Sequence, residues 1–381
     1  MKFIIIMLLL TAYIFADSIQ VVAKTTAVGY SNKPADNVYF HDDKNAYVDA
    51  YIRGEYFLTD YLEVYGKIGN QYEDTALEEI GLKLNSRYNN HMFGIQAGTL
   101  NMVRGVFDPS LDADQQAPSV YMPSGVYDDR WRQGFFGSQW GAKVHYGYMI
   151  GNTLAKVSYS HSEPRITDED KAETSVFNYV SDYADVDYGS VDTVELEIDI
   201  ANTVEIFVSY ASGSLRLDDK SGMTDMEKGM WYMTSPETFD PALAFTSDTD
   251  YDYDLYRVGA TYEHMYFTVA AEGYHLRTEN DSNDFDETNK GGYVYLNAHL
   301  PKGFTPYVIY NQSRDNDDDR LEEYTVGIRK TFGRYFALLV EYKQTDWAQT
   351  DTMIDYKSLR AATPEEDIDM DIYTVQLIMR Y

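Results

Sequence analysis

The sequence predicts an all-β fold: a transmembrane antiparallel β-barrel of about sixteen strands, with a long third loop folded into the lumen. Two observations carry it. Apolar and polar residues alternate at every second position in segment after segment, the period of a strand with two unlike faces. The connections between these segments alternate short and long. Membrane barrels have this asymmetry, with tight turns on one side and long loops on the other.

Taken in order, residues 1–16 read MKFIIIMLLLTAYIFA, a lysine followed by a short apolar run and a small residue. The run is short for a spanning helix of about 20 residues. It is expected to be a secretory signal peptide cleaved near Ala16, leaving 17–381 as the barrel. Alternating segments follow at 19–30, 45–57, 61–69, 76–85, 91–101, 136–149, 153–163 and 189–200. The second half continues at 203–213, 253–262, 265–277, 291–300, 304–313, 322–332, 335–346 and 370–381. In the second segment Ala46, Val48, Ala50, Ile52 and Tyr56 share one face, opposite Tyr47, Asp49, Tyr51, Arg53 and Glu55. In the eighth, Val194, Leu196 and Ile198 oppose Thr193, Glu195, Glu197 and Asp199. Val204, Ile206, Val208 and Tyr210 form an apolar face in the ninth, as do Phe336, Leu338, Val340 and Tyr342 in the fifteenth. The last segment alternates Tyr373, Val375, Leu377, Met379 and Tyr381 with polar or mixed residues. Most segments reach the nine to eleven residues that a tilted membrane strand requires.

The short connections include LTDY, GN at 151, AN at 201, PKG at 301 and GR at 333. Long ones fall at 31–44, 102–135, 164–188, 214–252, 278–290 and 347–369, with modest ones at 70–75 and 314–321. An even strand number lets the last strand pair with the first, so no edge is left open in lipid. The apolar face of the last segment is then expected to meet lipid throughout, with Tyr381 in an aromatic girdle.

Composition narrows the function. Formal net charge is -31, which repels phosphate and argues against a nucleic-acid partner. There are no cysteines, hence no disulfide framework. Tyrosine is the outlier, with 36 residues against 4 Trp and 17 Phe. Its flat apolar body and polar tip suit strands and membrane–water interfaces. The seven His are scattered, and no spacing suggests a metal site, a cofactor or a catalytic nucleophile. Acidic runs at 167, 247, 279, 314 and 364 lack the Gly and Glu positions of an EF-hand loop. They read as solvated loop surface, open to divalent bridging to lipopolysaccharide.

Residues 91–148 read HMFGIQAGTLNMVRGVFDPSLDADQQAPSVYMPSGVYDDRWRQGFFGSQWGAKVHYGY. A strand ends in a basic residue and a Gly-Val-Phe-Asp turn. A loop with Pro-Ser-Val-Tyr, a second proline and Tyr-Asp-Asp-Arg follows, and a Trp-Gly strand closes the unit. This stretch resembles the third-loop region of Gram-negative bacterial porins, especially the phosphate-selective O/P-type group. The resemblance implies an outer-membrane channel, assembled as a homotrimer, with a terminal aromatic residue that marks the chain for barrel assembly.

The candidate site is a pore constriction. Arg53, Lys67, Lys83, Lys143, Lys156, Arg257, Arg329 and Lys343 occupy inward positions, where charge faces water at little cost. The third loop adds Arg104, Asp108, Asp112, Asp114, Asp128, Asp129, Arg130 and Arg132. A loop folded into the lumen sets these carboxylates against a basic wall on the early strands, and a transverse field then crosses the path. The expected activity is passive diffusion of small hydrophilic solutes or ions, without catalysis. The alternative is a structural or adhesive barrel that acts through its acidic loops. Sixteen strands favour the channel, because a barrel of about eight is filled by side chains whereas sixteen leave an aqueous path.

Overall fold

The computed structural model describes residues 18–31, 46–71, 74–101, 138–163, 184–219, 249–280, 285–314, 320–348 and 367–380. The signal segment, Tyr381 and residues 102–137, with the whole third loop, lie outside the described residues. Sixteen strands run in chain order. The first eight are β1 (Ser18–Ser31), β2 (Ala46–Phe57), β3 (Leu62–Gln71), β4 (Asp74–Tyr88), β5 (His91–Asn101), β6 (Ser138–Ile150), β7 (Thr153–Glu163) and β8 (Ala184–Ile200). The others are β9 (Val204–Asp219), β10 (Thr249–His264), β11 (Phe267–Asn280), β12 (Phe285–Ala298), β13 (Phe304–Arg314), β14 (Arg320–Phe332), β15 (Phe336–Ala348) and β16 (Asp367–Arg380). Each pairs antiparallel with its chain neighbours, and β1 pairs with β16 from Val22↔Arg380 to Ser31↔Asp371. Closure satisfies every ladder and removes the edge that lipid cannot tolerate. Among the described residues no helix is long and apolar enough to cross a membrane.

The outer face is the apolar one. Val194, Leu196, Ile206, Phe336, Val375 and Leu377 are exposed, as alternation predicts, and Val204 and Leu338 are half-buried at strand ends. Tyr373 and Met379 complete the exposed face of the closing strand. So much contiguous apolar surface is untenable in water and matches hydrocarbon.

Several strands run past the alternating segments at the long-loop end. β8 begins at Ala184 rather than near 189, β9 continues to Asp219, and β10 begins at Thr249. These extensions are rich in Asp, with Asp185, Asp187, Asp218, Asp219, Asp250 and Asp252. Ladder hydrogen bonds continue wherever a partner strand continues, whatever the polarity of the side chains. At the opposite end the turns are tight. Ala201 and Asn202 both take positive φ (55° and 52°), the conformation a two-residue hairpin needs to match strand twist.

A repeated device fits tyrosines to the inner wall. Tyr65 stands opposite Gly81, Tyr253 opposite Gly213 and Tyr307 opposite Gly327. In each pair the ring lies over the glycine, so closely that an added Cβ at Gly327 would fall 2.2 Å from Tyr307 Cζ. An inward glycine leaves a gap in the sheet face, and a cross-strand aromatic fills it. The rings thereby lie along the wall.

The candidate channel interior

The inner wall divides into two regions. The early region, β1 to β8, keeps its cations in partial contact with solvent, while Glu195 and Glu197 of β8 are buried. Lys67 Nζ sits 4.4 Å from the centre of the Tyr51 ring, and Lys83 Nζ 4.6 Å from that of Tyr65. Both ammonium groups therefore lie over aromatic faces, an attractive placement for a cation. Tyr65 is itself held: its hydroxyl donates to Thr99 O (2.7 Å) and accepts from Gln96 Nε2 (2.9 Å). Arg53 stands opposite Lys67 in the ladder. Like charges placed opposite one another cost stability, so carboxylates nearby have work to do. Arg53 pairs with Glu55 at 3.3 Å and Lys83 with Glu63 at 3.3 Å.

Strand β7 explains the next pairs. Its inward residues Ser158, Ser160 and Ser162 are small and buried. Across these serines Lys143 of β6 reaches Glu195 of β8 at 3.9 Å, although the two strands are not neighbours. Lys156 pairs directly with Glu197 at 2.5 Å.

In the late region, β9 to β16, the charges are withdrawn from water. Arg257 and Glu272 form an ion pair with both side chains 0% exposed. Tyr293 Oη donates to Glu272 at 3.0 Å. Lys343 pairs with Glu323 at 2.5 Å, at 6% and 3% exposure. Asn311 Nδ2 donates to Glu323 (2.8 Å), and Tyr307 Oη donates to Glu341 (2.7 Å). Around them Ala270, Tyr293, Tyr295, Tyr307 and Ile309 form one buried cluster, and Val22, Tyr51, Ala337, Leu339 and Ile378 another across the closing seam. A third gathers Leu100 of β5 with Val191, Ala211, Tyr253, Leu255 and Leu276.

The sequence-predicted site residues therefore separate. Arg53, Lys67, Lys83 and Lys143 are brought onto one inner wall, with Lys156 beside them. Arg257 and Lys343 share the interior but are buried in ion pairs. Arg104, Asp108, Asp112, Asp114, Asp128, Asp129, Arg130 and Arg132 fall outside the described residues. The basic wall is also a wall of carboxylates: Glu55, Glu63, Glu195 and Glu197 interleave with its cations. The same alternation that turns the cations inward turns these carboxylates inward, so the signal was present in the register.

No family model matches the chain, and no curated protein sequence matches it. Solved structures do, by shape. The anion-selective porin from Comamonas acidovorans superposes with a TM-score of 0.58 at 10% identity, over 96% of this chain and 99% of that one. The outer-membrane OmpT of Vibrio cholerae gives 0.55 at 13%, over 96% and 97%. The outer membrane channel DcaP of Acinetobacter baumannii gives 0.51 at 11%, over 96% of each chain. At such identities the likeness establishes the barrel fold.

Proposed function

We propose that the chain is an outer-membrane channel for passive diffusion of small hydrophilic solutes or ions. The observation that carries this reading is the closed sixteen-strand barrel with an apolar exterior and a charged, partly solvated inner wall on β1 to β8. A purely structural barrel has no need of lysines held over tyrosine rings on its inner wall. The likeness to a porin and to an outer membrane channel supports the same reading. Assembly as a homotrimer fits it too, and one solved form of Vibrio cholerae OmpT is described as a trimer (12% identity, TM-score 0.54).

The resemblance to phosphate-selective porins does not extend to the ion preference we propose. Net charge of -31 concentrates cations at the mouth, while the early wall is close to self-neutralised by its own carboxylates. Weak cation preference at low salt follows, fading as the Debye length shrinks from about 30 Å at 0.01 M to 3 Å at 1 M. The test is conductance of the purified protein in planar bilayers, with reversal potentials in KCl gradients. Stepwise conductance with weak cation preference is expected. Absence of any conductance steps from a folded barrel overturns the channel, and anion preference persisting at high salt overturns the sign.

A further inference from the structure

His145 of β6 occupies a place on the inner wall that a tyrosine fills elsewhere. It stands opposite Gly94 of β5 and Ser158 of β7, and it alternates with the outward-exposed Val144 and Tyr146. Its ring lies over Gly94, where an added Cβ would fall 2.0 Å from His145 Cε1 and 2.4 Å from Nε2. Tyr65 over Gly81, Tyr253 over Gly213 and Tyr307 over Gly327 have the same arrangement. Filling the gap beside a glycine calls only for a flat ring. A phenol stays neutral through mild acid, whereas an imidazole takes up a proton there. Of these four pairs, the one at Gly94 alone has a ring that can become a cation.

The ring sits where such a charge reaches the lumen. His145 is half-buried, and Asn85 of β4, on the other side of Gly94, is exposed. Charged groups face it from the strands around it. On β6 itself Lys143 is two residues away on the same face. β4 brings Lys83 and Arg87 on either side of Asn85, with Arg87 turned to Asn89 O and Met149 Sδ. β7 brings Lys156, and β8 brings the buried Glu195 and Glu197. On β5 the flanking inward residues are Met92 and Gln96, neither of them charged, and Gln96 donates to the Tyr65 hydroxyl of β3. Each lysine already has a carboxylate: Lys83 has Glu63, Lys143 has Glu195 and Lys156 has Glu197. A proton on His145 therefore adds one positive charge to a wall whose lysines are matched.

We propose that His145 is a specificity-determining residue of the channel. Its neutral ring leaves the early wall near balance, and its imidazolium turns that wall toward anions. The proposal rests on the channel reading above and names the group that sets its ion preference. A wall charge acts with opposite sign on a passing cation and a passing anion. At about 6 Å from the path, in water, it changes the ratio of their permeabilities roughly tenfold before screening.

The test uses the full-length protein in planar bilayers. Reversal potentials are read in one dilute KCl gradient from about pH 8 to about pH 5, the span in which histidine titrates. The parent's ratio of cation to anion permeability is expected to fall by up to about tenfold in acid, and by less at high salt. His145→Tyr keeps a ring over Gly94, as in the three tyrosine pairs, and is expected to hold its ratio nearly constant. His145→Lys carries a fixed charge and is expected to show the parent's acid ratio throughout. Mouth carboxylates are common to all three proteins, so the differences between them belong to position 145.

A parent whose ratio does not move overturns the proposal. So does a His145→Tyr variant that moves as far as the parent, because the ring then only fills the gap. A His145→Lys variant that matches the parent at the alkaline end overturns it as well. A folded parent that never conducts overturns the channel reading and this role with it. Conductance without a step that depends on His145 overturns the role alone.

Discussion

The early and late halves of the inner wall solve the same problem differently. Both must place charge inside a barrel. On β2 to β8 the cations stay wet, Lys83 at 28%, Lys143 at 22% and Lys156 at 23%, and the carboxylates are wet on β2 and β3 but buried on β8. On β9 to β15 they are dry, with Arg257 and Glu272 both at 0%. A wet pair is screened and contributes little to stability, but its field reaches a passing solute. A dry pair contributes no accessible charge, and its partners depend on each other, since desolvated charge is tolerable only when matched. The early wall is therefore the part that can act on solutes. The late wall is the part whose integrity the fold requires.

The largest expected effect breaks a dry pair. Glu272→Leu leaves Arg257 buried without its carboxylate and removes the acceptor of Tyr293 Oη. A loss of about 3–5 kcal/mol is expected. Glu63→Gln on the early wall is expected to cost under about 1 kcal/mol. Urea-dependent loss of the folded, heat-modifiable band in gels measures both. Similar midpoints for the two variants abolish the distinction between wet and dry regions.

A smaller effect comes from the glycine beneath Tyr307. Gly327→Val drives a branched side chain into the ring and displaces Tyr307 Oη from Glu341. Overpacking of this kind costs about 1–3 kcal/mol. Adding Tyr307→Ala makes room and is expected to recover part of the loss. A double variant no more stable than Gly327→Val alone shows that the ring is not what the glycine accommodates.

The fold was legible because one period, two, fixes both the strand and its lipid face. Val194, Leu196, Val375 and Leu377 stand outward as that period requires. The short–long rhythm of connections gave the strand number, and closure of β1 on β16 follows from it. The site was legible only in part. Alternation says that Lys143 and Glu195 point inward, but not that the serines of β7 let one reach the other across an intervening strand. It does not separate Lys83 from Arg257 either, because exposure inside a barrel depends on packing between strands far apart in sequence. Leu100 of β5 sharing a buried cluster with Leu255 of β10 is such a packing event. The glycine pair on the outer face escaped for a related reason. Gly273 and Gly292 are 19 positions apart, and only the register sets them side by side.

The smallest effect sharpens the comparison most, because it reads charge and not stability. Glu63→Gln and Glu55→Gln together remove two solvated early-wall carboxylates and leave Lys83 and Arg53 in place. The inner wall then becomes net positive where it is solvated. A unit charge about 6 Å from the path, in water, is worth ~0.7 kcal/mol. The charge acts with opposite sign on cation and anion, so each carboxylate removed changes the ratio of their permeabilities by about 1.4 kcal/mol, or roughly tenfold before screening. The shift should run toward anions and shrink at high salt. The matching late-wall variant, Lys343→Met with Glu323→Leu, removes a pair that is already neutral and dry. It should leave the reversal potential unchanged, because no accessible charge is gained or lost. Reversal potentials in one KCl gradient compare the two. If the late-wall variant shifts the potential as far as the early-wall one, the late pairs are hydrated in the working channel and the two regions are not distinct.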